Sequence, residues 1–129
     1  MIESKTKQAL KVKKDSSLSS FVGNTPLIPI TLGEYTVWGK CEFMNPSGSV
    51  KDRMATYILN DAERRGILKP GDTLVEATSG NTGIAFSMLA AQRGYNIYIT
   101  MPSNMSEERK RMMEFYGARI IETDAGDFD

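Results

Sequence analysis

The chain has 129 residues, enough for one domain of ordinary size, and its 40% apolar and 25% charged content fits a soluble globular protein. Sixteen Lys and Arg balance sixteen Asp and Glu, which removes any electrostatic case for nucleic acid or an anionic membrane as partner. One cysteine, Cys41, and no histidine exclude a disulfide framework, a Cys/His zinc site and a histidine-assisted triad within this chain, so no metal is expected.

Residues 1–17 read as a flexible lead, polar and lysine-rich up to Lys14, without the apolar stretch of a secretory signal. No apolar run approaches the ~20 residues of a membrane span, and with a single cysteine a cytoplasmic location is the default expectation. Phe21 to Ile28 reads as a turn between two short apolar pieces, because Gly23-Asn24 and Thr25-Pro26 both favour turns. Thr36 to Phe43 alternates in the manner of a strand with one buried face, and Cys41 within it suits a small buried residue.

Asn45-Pro46-Ser47-Gly48-Ser49-Val50-Lys51-Asp52-Arg53 leads into a helix. Ser49 and Asp52 have capping-box spacing, which predicts a start at Val50. Advancing 100° per residue, Met54, Ala55, Ile58, Leu59 and Ala62 fall within about 80° of Lys51, while Arg53, Asn60 and Arg64 fall opposite. Lys51 is therefore expected on the core-facing stripe, at the positive end of a helix dipole. Both conditions disfavour the ammonium and favour a neutral amine, the nucleophile that forms a Schiff base with a carbonyl. The competing expectation is that Lys51 passes the helix end into water. Gly66 ends this helix, and Lys69-Pro70-Gly71-Asp72 makes a turn.

From Thr73 the pattern is strand, helix, strand, helix, strand. Thr73–Ala77 leads into the loop Thr78-Ser79-Gly80-Asn81-Thr82-Gly83. A helix apolar nearly all round, hence buried, then runs to about Arg93 before Gly94. Asn96–Met101 is the next strand. A helix capped at Ser103 or Ser106 carries an apolar stripe of Met105, Met112, Met113 and Tyr116, and Arg119–Thr123 closes the series. Short loops between these elements mean parallel strands with helical crossovers. The loop Thr78–Gly83 sits where ligands bind in open α/β sheets, and its small residues and the helix dipole suit a carboxylate or phosphate. With only Gly80 and Gly83 it is neither G-x-G-x-x-G nor a Walker A loop.

These two motifs together resemble the pyridoxal-phosphate enzymes of the cysteine synthase and cystathionine β-synthase family. Gly23-Asn24-Thr25-Pro26-Leu27 is similar to that family's N-terminal signature. Met101-Pro102-Ser103-Asn104-Met105-Ser106-Glu107-Glu108-Arg109 most resembles cysteine synthases of the B type. The resemblance implies an α/β fold with a parallel sheet, PLP fold type II (tryptophan synthase β-like), in truncated form. It implies N-terminal pieces of a larger cofactor domain over 18–72 and a βαβαβ part of a smaller mobile domain over 73–129. It assigns pyridoxal 5′-phosphate as cofactor, Lys51 as its Schiff-base and proton-transfer residue, and Asn81 to its ring oxygen. Thr78, Ser79, Gly80 and Thr82 are assigned to the substrate carboxylate.

The implied reaction is β-replacement, making L-cysteine from O-acetylserine or a related activated serine and sulfide. Cystathionine β-synthase chemistry, another β-replacement and a non-catalytic assembly module are the alternatives. The family's Gly/Thr-rich cup for the cofactor phosphate has no counterpart here, since only Gly117 and Gly126 follow Gly94. A homodimer, or a complementing C-terminal segment, is the implied partner.

Overall fold

The computed structural model describes residues 17–126. The expected flexible lead falls almost wholly outside them. A short 3-10 turn, Leu18–Phe21, precedes a hairpin of β1 (Leu27–Leu32) and β2 (Tyr35–Lys40), paired antiparallel from Leu27 opposite Lys40 to Leu32 opposite Tyr35. A second 3-10 turn, Glu42–Met44, leads to α1 (Lys51–Arg64). There follow β3 (Thr73–Ala77), α2 (Asn81–Arg93), β4 (Asn96–Pro102), α3 (Glu107–Phe115) and β5 (Arg119–Thr123).

The second sheet is parallel, in the order β3-β4-β5, as the alternation of elements predicts. Ile97, Ile99 and Met101 of β4 are buried on one face of it, joined by Leu74 and Ile120 at its margins. On that face α2 is enclosed, with Gly83 to Ala90 buried without a break. Its expected burial therefore holds. The other face is bare: Val75 and Ile121 are exposed, and Arg119 lies over the Tyr98 ring at 5.5 Å while donating to its hydroxyl at 2.8 Å. β3 and β5 are both edges.

Three expectations need correction. The strand predicted over Thr36–Phe43 stops at Lys40, and Glu42–Met44 forms a 3-10 turn instead. Cys41 is buried as expected, but lies just past the strand. The apolar piece ending at Ile28 continues as a strand to Leu32. Pro29 is tolerated because β1 has a neighbour on one side only. Gly33, with φ of 61°, occupies the first central position of the two-residue turn, where glycine alone is comfortable.

The third correction concerns α1 and α3. The buried residues of α1 are Asp52, Ala55 and Leu59, a face rotated from the predicted stripe. Lys51 is exposed, and so are Met54 and Ile58. The reason is that α1 packs on one helix, α2, so only a narrow strip along Ala55 and Leu59 is covered. In α3, Met113 is buried and Met105 and Tyr116 are partly covered, but Met112 is exposed. Lys110 is buried beside Met113, with its ammonium donating to Ser103 O at 2.9 Å, Glu107 Oε1 at 2.9 Å and Glu122 Oε1 at 2.6 Å. A buried lysine is tolerable when fully partnered in this way.

Candidate active site

The segment before Lys51 is built by polar bonds. Asp52 is fully buried and accepts hydrogen bonds from the Ser47 amide at 2.7 Å and from the Ser47 hydroxyl. The predicted capping box does not form. Ser49 Oγ instead accepts from the Lys51 amide at 3.2 Å, and the helix begins at Lys51. The Pro46–Val50 loop is thus wound onto the Asp52 carboxylate, and this fixes where Lys51 leaves the helix.

A second network ties this loop to the Gly23–Leu27 turn. Arg53, expected in water, is half-buried. Its Nε donates to Glu42 Oε2 at 2.8 Å, and its Nη2 donates to Glu42 Oε1 at 2.9 Å and Thr25 Oγ1 at 3.2 Å. The Thr25 hydroxyl donates to Glu42 Oε1 at 2.7 Å. The Asn45 amide nitrogen donates to Glu42 Oε2 at 2.9 Å, and its oxygen accepts from the Gly23 amide at 2.9 Å. The Arg53 guanidinium, helped by the Thr25 hydroxyl, holds the Glu42 carboxyl down at about 2. The sequence pattern places Arg53 in solvent and ties none of Glu42, Thr25 and Asn45 to it. Their signal was two short polar residues, Thr25 and Asn45, each placed beside a proline.

The loop Thr78–Gly83 lies between β3 and α2. Its start is pinned to the sheet, with the Thr78 amide donating to Thr100 O at 3.0 Å. The Gly80 amide donates to Thr78 Oγ1 at 3.3 Å, and the Gly83 amide to Gly80 O at 3.1 Å. The hydroxyl of Thr78, expected to face substrate, is thereby engaged in shaping the loop. The amides of Asn81 and Thr82 stand in the first turn of α2, where no carbonyl of the helix can accept them. The Ser79 and Thr82 hydroxyls and the exposed Asn81 side chain also have no hydrogen-bond partner among the described residues. This is a set of donors at the positive end of a helix, suited to a carboxylate.

Lys51 and this loop lie at one end of the same helix pair. Arg93, the last residue of α2, donates to Glu63 Oε1 in the last turn of α1 at 2.9 Å, and the Tyr95 hydroxyl donates to the same oxygen at 2.6 Å. The two helices therefore meet at their C-terminal ends. They pack side by side and are 14 and 13 residues long. Their N-terminal ends, bearing Lys51 and Asn81, therefore point the same way. The Lys51 ammonium has no salt-bridge or hydrogen-bond partner among the described residues. In β3, Glu76 is half-buried in a pocket shared with Ile58 and Leu59 of α1 and is unpaired among the described residues, and burial pushes its carboxyl above the ordinary range.

An exposed amine, an unpaired amide and a fan of backbone donors at the switch from strand to helix make a candidate site on a fold of the α/β class. The chain belongs to the pyridoxal-phosphate dependent enzyme family, whose profile matches residues 18–129. It is 52% identical over 110 residues to cysteine synthase B of Escherichia coli (strain K12), covering 82% of this chain and 36% of that protein. It is 46% identical over 125 residues to cystathionine beta-synthase of Apis mellifera, covering 92% of this chain and 25% of that protein. The crystal structure of O-ureido-L-serine synthase superposes with a TM-score of 0.81 at 42% identity, over 84% of this chain and 35% of that one. The chain thus spans about a third of the length of the curated cysteine synthase it matches.

The residues present fit the aldehyde and ring side of pyridoxal phosphate. Lys51 carries an unpartnered side-chain nitrogen and Asn81 an unpartnered amide, groups whose chemistry suits an aldehyde and a ring oxygen. No residues of this sequence are assigned to the phosphate. No helix among the described residues is long and apolar enough to cross a membrane.

Proposed function

We propose that this chain supplies the Schiff-base lysine and the substrate-carboxylate loop of a pyridoxal-phosphate enzyme making L-cysteine from O-acetylserine, or a related activated serine, and sulfide. The observation that supports it is that an unpartnered Lys51 and the open donors of Ser79, Asn81 and Thr82 stand at the N-terminal ends of two helices, α1 and α2, that pack side by side and point the same way. When bound, pyridoxal phosphate supplies a pyridine ring that takes up the electron pair released at the substrate's α-carbon. Lys51 Nζ holds the cofactor and then carries the α-proton. Asn81 orients the ring through its side-chain amide. The Ser79, Asn81 and Thr82 amides and the Ser79 and Thr82 hydroxyls hold the substrate carboxylate, which aligns the β-carbon. Acetate leaves that carbon and sulfide takes its place.

Exposure of Lys51 in this chain is compatible with such a role if the remaining length typical of the relatives closes over it. Shielding from water then comes from outside α1. The match to cystathionine beta-synthase and the likeness to O-ureido-L-serine synthase favour a second reading with the same residues, in which another nucleophile replaces sulfide.

Borohydride reduction in the presence of pyridoxal phosphate, followed by peptide mapping, tests the lysine. The label is expected on Lys51, with Lys51→Ala abolishing both label and visible absorbance. A label on another lysine refutes the assignment. Sulfide-dependent turnover of O-acetylserine, compared with serine plus homocysteine in the protein carrying this chain, separates the two readings.

A further inference from the structure

Gly83 has no room for a side chain. A Cβ there would stand 2.8 Å from Thr78 Cγ2, 2.9 Å from Met113 Cε and 3.0 Å from Met113 Sδ. The Thr78 methyl and the tip of Met113 thus converge on the bare Cα of Gly83. Met113 is fully buried and belongs to α3, an element that supplies no other group to the site. The Thr78 hydroxyl is turned away from this contact and accepts the Gly80 amide. On the far side, the Gly83 carbonyl is fixed by the Ser87 hydroxyl at 2.6 Å. Threonine is branched at Cβ, so holding its methyl also fixes its hydroxyl.

We propose that Met113 is a positioning residue for the carboxylate loop. It clamps the Thr78 methyl against Gly83, which keeps the Thr78 hydroxyl on the Gly80 amide and leaves the Ser79, Asn81 and Thr82 amides open to the ligand. The role rests on Thr78–Gly83 being the substrate-carboxylate site. Met113 touches no substrate. Its effect passes through Thr78, so the two residues should act as one unit.

The test compares the unaltered chain with Met113→Leu, Met113→Ala, Thr78→Ser and the Met113→Ala/Thr78→Ser pair, all in the protein carrying this chain. Thr78→Ser keeps the hydroxyl and removes the methyl, whereas Met113→Leu keeps the buried volume. Two readouts are used: hydrogen exchange of the Gly80 amide, referenced to amides of β4 to remove global opening, and the affinity for L-serine. Met113→Ala and Thr78→Ser should each speed Gly80 exchange and weaken L-serine by about tenfold, and the pair should add little more, as expected of coupled residues. Met113→Leu should restore both readouts.

Ordinary Gly80 exchange in Thr78→Ser overturns the proposal, even if Met113→Ala does not fold. So do losses that multiply in the pair. If L-serine leaves the unaltered protein unchanged while Gly80 exchange responds as described, the carboxylate reading of the loop fails and the clamp stands.

Discussion

The parallel unit from β3 to β5 and the segment from Leu18 to Val50 are held together in opposite ways. In the first, α2 is enclosed by β4, α1 and α3, with Ala85, Leu89 and Ala90 wholly inaccessible. In the second, the strands pair with each other, and Leu27, Leu32, Tyr35, Val37 and Trp38 are exposed. Its attachment to α1 is polar, through Glu42, Arg53, Thr25 and Asn45. Apolar composition is similar in both regions, but only one has neighbours to cover it. Cohesion by burial should fail through cavities, and cohesion by a carboxylate network should fail through acid.

Leu89→Ala should break the first kind of cohesion most strongly. Deleting a fully buried leucine costs about 2–5 kcal/mol, because the cavity closes only in part. Urea unfolding followed by circular dichroism measures it. A cost as small as that of a surface substitution would mean that α2 is not the centre of the core.

Acid sharpens the second kind. The Glu42 carboxyl is lowered from 4.5 to about 2, so its bonds add stability at neutral pH. That contribution is lost as the pH falls through the interval from 4.5 towards 2. The Tm difference between the unaltered chain and Glu42→Gln should therefore be greatest near neutrality and shrink steadily as the pH falls from 4.5 through about 2. Glu63 and Glu107 are also lowered by their partners and titrate in both proteins, which is why the difference is the quantity to follow. A difference independent of pH would show that the network does not depend on the Glu42 charge.

The smallest effect on stability is expected from the hairpin. Trp38→Ser should move the unfolding free energy within about 0.5 kcal/mol, as for other surface positions. It should nevertheless reduce self-association of the 129-residue chain, since exposed apolar strands invite pairing. Sedimentation velocity on the two proteins decides this. A large loss of stability would mean that Trp38 is covered in solution.

The candidate site is proposed from features legible in the sequence alone. Lys51 and Thr78–Gly83 stand out because their chemistry depends on residue type and on position at a helix start, both of which are local. Local patterns likewise determined the order from β3 to β5, the enclosure of α2, whose residues are apolar on all sides, and the turns at Gly66 and Gly94. Which face of α1 is covered was not local. Periodicity marked a stripe centred on Lys51, yet α1 meets one helix, so the buried strip runs through Asp52, Ala55 and Leu59 instead. The burial of Lys110, the Arg53–Glu42 pair and the convergence of Met113 and Thr78 on Gly83 each join residues that are distant in the chain. Spacing along a helix or strand says which residues share a face. Only the neighbouring element decides whether that face is covered, and by which atoms.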